Sequence, residues 1–284
     1  MNKQLSKYFP WLSGLIAALV AFFALSYFSL SSWSTIRESI IEEKSQVASR
    51  IANHIEQSIA EKSYLAKSLA SYVRFNPQIN QDAFRDFAKE VYAMAEREVL
   101  SVQLVKDSFI TYNFPESPNK ETEGVNIVEL EEDRELVEKA IENKEPMVIG
   151  PRVLIQQVQG MVYRVPIFLP DSNSQEENFW GFSSIVMDLE QIVDRTILDS
   201  IQEFALWSQN QSMTHKGYFY GDSNSINENS IVETINLPTD TWKFYLSYDQ
   251  DVAEIDKMKQ IVRIIIIIIS LLFGFVIFQL HQSY

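Results

Sequence analysis

The chain has 284 residues, a formal net charge of −14 and no cysteine. The negative charge repels phosphate backbones, so nucleic acid is not an expected partner. Without cysteine there is no disulfide, thiolate zinc site, iron–sulfur cluster or cysteine nucleophile. The three histidines, His54, His215 and His281, stand on separate predicted elements and cannot converge on one metal. No GxGxxG, P-loop or GxSxG elbow occurs, so neither a cofactor nor an enzyme is expected in this chain.

Pro10 to Leu30 is a run of 21 residues without a charge, about 31 Å of helix and enough to cross a bilayer's hydrocarbon core. A cleaved signal peptide fits less well, because its apolar region is usually shorter and no small-residue cleavage site follows. Ile261 to Leu280 is the second apolar run, with six successive isoleucines at 264–269 and one charge, Arg263, near its edge. Lys3 and Lys7, with no acidic residue between Asn2 and Phe9, place the N-terminus in the cytoplasm. Two spans of the plasma membrane then leave residues 31–260 outside the cytoplasm and return the tail inside. Lys257, Lys259 and Arg263 pull against that orientation.

After the first span, Ile36, Ile40, Val47, Ile51, Ile55, Ile59, Ala66, Leu69 and Val73 recur at helical spacing until Asn76-Pro77. This stalk helix packs on its own domain, pairs with a second copy of the chain, or does both. Asn80 caps a second helix, QDAFRDFAKEVYAMAERE, ending at Glu98. The period then changes to alternation. VLSVQLV (99–105) and FITYNF (109–114) predict strands around a turn at 106–108, and EEDRELVEKAIENKEP (131–146) predicts an acidic helix stopped by Pro146. VIGPRVLI, the QQVQG turn and GMVYRVPIF supply two or three more strands, and FWGFSSIVMDLEQIV (179–193) a strand running into a helix near Asp188. The order predicts an α+β arrangement, an antiparallel sheet with helices on one face and a concave side able to hold a ligand.

A second sheet module follows from EFALWSQ (203–209), GYFYG (217–221), SIVETINL (230–237) and WKFYLSYD (242–249), with LPTDTW turning into the last strand. The expected organisation is a cytoplasmic N-terminus (1–9), a transmembrane helix (10–30), the stalk helix (31–76), a membrane-distal module (77–195), a membrane-proximal module (196–256), a second transmembrane helix (261–280) and a cytoplasmic tail (281–284).

The series YNFPESPNKETEGVNI, EEDRELVEKAI, IGPRVLIQQVQGMVYRVPIF and FWGFSSIVMDLEQIV, in that order and spacing, resembles the CHASE domain. That family is the exported sensor module of plant cytokinin receptors and of many bacterial histidine kinases and diguanylate cyclases. The resemblance covers roughly residues 75–195, and the unit ending LPTDTWKFYLS resembles the membrane-proximal PAS-like half that often follows it. It implies two PAS-like sheets with a small molecule in the membrane-distal one. Asn126 stands where the plant receptors place a ligand-binding aspartate, and Arg164 where they place a threonine.

Both departures speak against cytokinin itself. A fixed, buried guanidinium is favourable only beside an anion or strong acceptor, so Arg164 points to a carboxylate or phosphate-bearing ligand, or else it pairs with an acidic residue of its own chain. Asn126 either faces the ligand or satisfies the backbone of its own turn. Trp180 is a candidate pocket wall with core filling as its alternative, as for Phe182 and Trp242; Gly150, Gly160 and Gly181 fit turns and close packing.

The expected protein is a membrane-anchored sensor, dimeric through its stalk, whose ligand shifts the stalk against the second span and so addresses a cytoplasmic output domain or protein. The chain stops four residues after that span, which makes it the input half of a longer protein or one that works through a separate partner. The alternative is a non-sensing envelope protein that docks a partner through stalk and ectodomain.

Overall fold

The computed structural model describes residues 3–95, 97–130, 133–171, 176–193, 201, 203–209 and 217–283. His215 and Glu132 lie outside the described residues. The chain divides into two compact units, residues 47–246 and residues 1–46 together with 247–284.

The larger unit is built on helix α1 (Lys3–Phe75), whose stalk portion runs without interruption. Ile51, Ile55, Ile59, Ala66, Leu69 and Val73 form its buried stripe, as the three- and four-residue spacing requires. Helix α2 (Gln81–Ala93) starts where Asn80 Oδ1 accepts from the Ala83 N–H at 2.9 Å. It stops at Ala93, short of Glu98, because the chain turns there to enter the sheet and Glu98 is drawn into an ion pair with the buried Lys62.

Strands β1 (Val99–Lys106) and β2 (Phe109–Phe114) are joined by Asp107 and Ser108, both left-handed at φ 49° and 71°, the tight-turn geometry that matches strand twist. A short helix α3 (Glu116–Asn119), a 3-10 turn (Lys120–Thr122) and helix α4 (Arg134–Asn143) follow. Lys144, left-handed at φ 57°, ends α4 before Pro146 is reached, its N–H satisfying the Ala140 carbonyl. Then come β3 (Met147–Val153), β4 (Gln159–Pro170), β5 (Glu177–Asp188) and the one-turn helix α5 (Leu189–Ile192), capped by Asp188 Oδ1 accepting from the N–H groups of Glu190 and Gln191.

The five strands form one antiparallel sheet in the order β2-β1-β5-β4-β3. Helices α1 and α2 bury one of its faces together with Leu104, Met161, Tyr163, Ile185 and Met187. The other face is not bare of helix as the sequence led us to expect: Val137 and Ala140 of α4 join Val105, Val162, Phe182 and Val186 in a second, smaller core. The apolar stripe of α4 has to be covered, and this face of the sheet covers it.

Strands β6 (Phe204–Ser208), β7 (Tyr218–Gly221), β8 (Ser230–Asn236) and β9 (Thr241–Ser247) form the second sheet, ordered β7-β6-β9-β8. Trp242 is fully buried in it and donates Nε1–H to Asp240 Oδ2 at 2.8 Å. Thr239, in the β8–β9 turn, clamps the outer edge of β3: its hydroxyl accepts from the Val148 N–H and donates to the Val148 carbonyl, each at 2.8 Å.

The smaller unit comprises the first part of α1 and helix α6 (Asp249–Gln282), both long and apolar enough to cross a membrane. Their backbones approach closely at two glycines. A Cβ at Gly14 would lie 2.8 Å from the Gly274 carbonyl oxygen, and one at Gly274 would lie 2.7 Å from the Ala18 Cβ. Trp11 packs on Phe278 with ring centres 4.4 Å apart, and Lys44 pairs with Asp251 at 3.0 Å.

Candidate functional site

The α4-covered face of the five-stranded sheet holds a cavity of about 500 Å³, within the range of small-molecule sites. Its floor is the sheet, through Gln103, Val162, Arg164 and Val186; one wall is the β3–β4 connection at Leu154–Gln156, and another the 122–130 segment. Gln156 Nε2 donates to Asn119 Oδ1 at 2.9 Å and so ties one wall to the segment flanking the other.

The floor follows from strand period. Asn113, Gln103, Ser184 and Arg164 are successive register partners across β2, β1, β5 and β4, so all four side chains leave the same face. Ser101, opposite Val186, belongs to that face too. These are polar residues in the inward phase of buried strands, and their hydrogen bonding is incomplete. Seven buried side-chain atoms lack a partner among the described residues; five of them are Ser101 Oγ, Asn113 Oδ1, Ser184 Oγ and Arg164 Nε and Nη1. Orphaned groups are costly and rare, and five of these seven share one face.

Arg164 dominates the electrostatics. It is 4% exposed, and its guanidinium makes no hydrogen bond or ion pair among the described residues. Burial pushes its guanidinium down to about 10, with Asp133 opposing the shift and Arg152 adding to it. It stays a cation at neutral pH. Asp133 cannot neutralise it by contact, because its two oxygens are taken by Arg152, Nη1 to Oδ1 at 2.8 Å and Nη2 to Oδ2 at 2.6 Å. Among the described residues, the charged lining of the cavity is thus Arg152, which Asp133 pairs, Glu129, and the buried cation Arg164.

A model of the CHASE domain matches residues 57–220, more than half of the chain, from the last third of α1 into β7. The chain belongs to the CHASE domain family. CHASE domains are extracellular sensing modules of membrane receptors rather than catalytic ones, and the match extends beyond residues 75–195 at both ends. No curated protein matches the sequence. Among solved structures, an extracellular ligand-binding receptor from Desulfohalobium retbaense aligns with a TM-score of 0.56 and 10% identity over 72% of this chain. The chain spans only 40% of that receptor's length. The extracellular domain of a protein described as a histidine kinase aligns with a TM-score of 0.51 and 9% identity, covering 76% of this chain and 96% of that one. At such identities the likeness is one of fold.

In this CHASE domain the three residues singled out from sequence do not come together. Arg164 lines the cavity. Asn126 stands beside it in the 122–130 wall with its amide engaged: Nδ2 donates to Glu129 Oε1 at 3.1 Å and Oδ1 accepts from the Val128 N–H at 3.2 Å. Glu129, which Asn126 holds, does line the cavity. Trp180 is on the opposite face, against the α1 core, with Lys106 Nζ 5.9 Å from its ring. The reason is a bulge: Ile167 pairs with Gly181 but Phe168 pairs with Phe179, so Trp180 is the extra residue and turns away. Gly181 permits this, since a Cβ there would lie 2.0 Å from the Val105 carbonyl oxygen. Gln103, Ser184 and the Arg152–Asp133 pair escaped sequence reading. For Gln103 the signal existed, a polar residue at the centre of the apolar strand VLSVQLV. Among the described residues no three histidine, aspartate or glutamate side chains gather as a metal site would need.

Proposed function

We propose that the chain is a membrane-anchored sensor whose CHASE domain binds a small anionic molecule at Arg164 and passes the signal to a cytoplasmic output such as a diguanylate cyclase or a histidine kinase. The observation that carries this reading is the buried guanidinium without a partner, facing a ligand-sized cavity. An anion there supplies the missing counter-charge. Binding biases the receptor between two arrangements by its differential affinity for them. In this reading both sheets are PAS-like modules, the two apolar helices are transmembrane spans of the plasma membrane, residues 31–260 lie outside the cytoplasm, and the stalk pairs two copies.

The test is thermal unfolding of the full chain in detergent against a panel of small anions, amino acids and purines. A ligand at 100 times its dissociation constant adds about 2.7 kcal/mol, roughly 5–11 °C in midpoint for a domain of this size. The expected result is a shift with anions that disappears in Arg164→Ala while the ligand-free protein stays folded. A flat panel with a cooperatively folded protein overturns small-molecule sensing and favours docking of a protein partner.

A further inference from the structure

The polar groups under the cavity form a line rather than a cluster around Arg164. Resting on the reading of Arg164 as an anion anchor, we infer that the site takes an elongated organic monoanion, with a carboxylate at Arg164 and a neutral hydrogen-bonding group at its other end over Gln103.

Gln103 lines the cavity, is 2% exposed, and its side-chain amide makes no hydrogen bond among the described residues. Between it and Arg164 in register stands Ser184, its hydroxyl unpartnered. Two strand spacings separate Arg164 from Gln103, about 10 Å. A chain of about four carbon atoms with a polar group at each end, making an angled hydrogen bond at either side, is long enough to reach between the two. Val162, Val186 and Ile110 give that body an apolar lining.

The charge follows from the walls. Among the described residues, Arg152 and Asp133 cancel each other, Arg164 contributes one positive charge, and Glu129 contributes a negative one at the rim. A single negative charge completes Arg164, while a second would face Glu129. Inorganic phosphate would satisfy Arg164 and leave Gln103 and Ser184 bare. A neutral purine would do the reverse.

The experiment compares matched four-carbon probes on the full chain in detergent: butyrate, 4-hydroxybutyrate and succinamate, with inorganic phosphate beside them. The expected result is that succinamate and 4-hydroxybutyrate raise the unfolding midpoint at about tenfold lower concentration than butyrate. In Gln103→Leu that advantage vanishes and the butyrate response persists; in Arg164→Met all responses vanish. Equal potency of butyrate and succinamate in the wild-type protein, or a greater effect of phosphate, overturns the elongated ligand while leaving the Arg164 anchor standing. No response to any of the four anions overturns the anchor as well.

Discussion

The two faces of the five-stranded sheet are made from the same strands and do opposite things. The adjacent serines Ser183 and Ser184 show it most directly: both are fully buried, yet Ser183, on the α1 face, donates to the Ala66 carbonyl at 2.5 Å, whereas Ser184, on the cavity face, has no partner. The α1 face is apolar and satisfied, and it supplies stability. The cavity face keeps a cation, an amide oxygen and hydroxyls uncompensated, which costs stability, and the proposed anion is what would complete them. One step along a strand decides which role a residue has.

Truncation on the two faces should therefore have opposite signs. Leu69→Ala, at a fully buried α1 position, removes packing and should destabilise by about 2–5 kcal/mol, a fall in midpoint of roughly 5–15 °C. Arg164→Met removes an unpaired buried charge at similar volume. It should stabilise the ligand-free protein by about 1–3 kcal/mol and abolish any anion response. Urea unfolding of both variants measures the pair. A destabilised Arg164→Met would erase the contrast, because it would make Arg164 a structural residue.

The charge on Arg164 sets the pH dependence. Burial depresses its pKa in the folded protein to about 10, so the cost of holding the charge is fully present below about 10 and is relieved as pH rises above it towards the ordinary arginine range. Anion binding needs the charged form. Affinity should be level from pH 6 to 9 and fall as pH rises through about 10, approaching tenfold per unit beyond it. Calorimetric titration of succinamate at pH 7, 9 and 10.5 reads this directly; level affinity through pH 10.5 would mean that Arg164 keeps an ordinary pKa or makes no contact with the anion.

The edge of the sheet gives a smaller effect. Thr239 satisfies both outward groups of Val148, and Val148 follows Met147, the register partner of Arg164. Thr239→Val strips an N–H and a carbonyl of their partner at the sheet edge and should cost about 1–2 kcal/mol. Thr239→Ser should restore most of it. Thermal unfolding distinguishes the two, and equal stability of Val and Ser variants would show the clamp to be idle.

Most elements could be read from the letters because their causes are local. Asn80 and Asp188 are caps, the alternation in 99–114 and 147–188 is strand period, and the stalk's stripe is a helix period. The site was less legible. Arg164 could be picked out through its place in the CHASE resemblance, but Asp133 and Arg152 are 19 residues apart and their pairing is tertiary. Trp180 could not be placed without knowing that a bulge consumes it, since plain alternation would put it on the face of Phe182. The cover that α4 makes is likewise a matter of packing, which leaves no periodic trace.

Asn126 carries the smallest expected effect and sharpens the comparison most finely, because it works on the cavity face without an unpartnered atom. Its side chain bonds the Val128 N–H and Glu129, and Glu129 with Leu130 lines the cavity. Such a residue positions a wall. Asn126→Ala should cost about 0.5–1 kcal/mol for the lost turn bond and weaken succinamate binding less than about fivefold, since neither Arg164 nor Gln103 moves. Asn126→Asp keeps the acceptor for Val128 but sets a carboxylate against Glu129, so it should loosen the wall more than alanine does. If instead Asn126→Ala removes binding as completely as Arg164→Met at unchanged stability, the amide touches the ligand, and the site extends from the sheet onto the 122–130 wall.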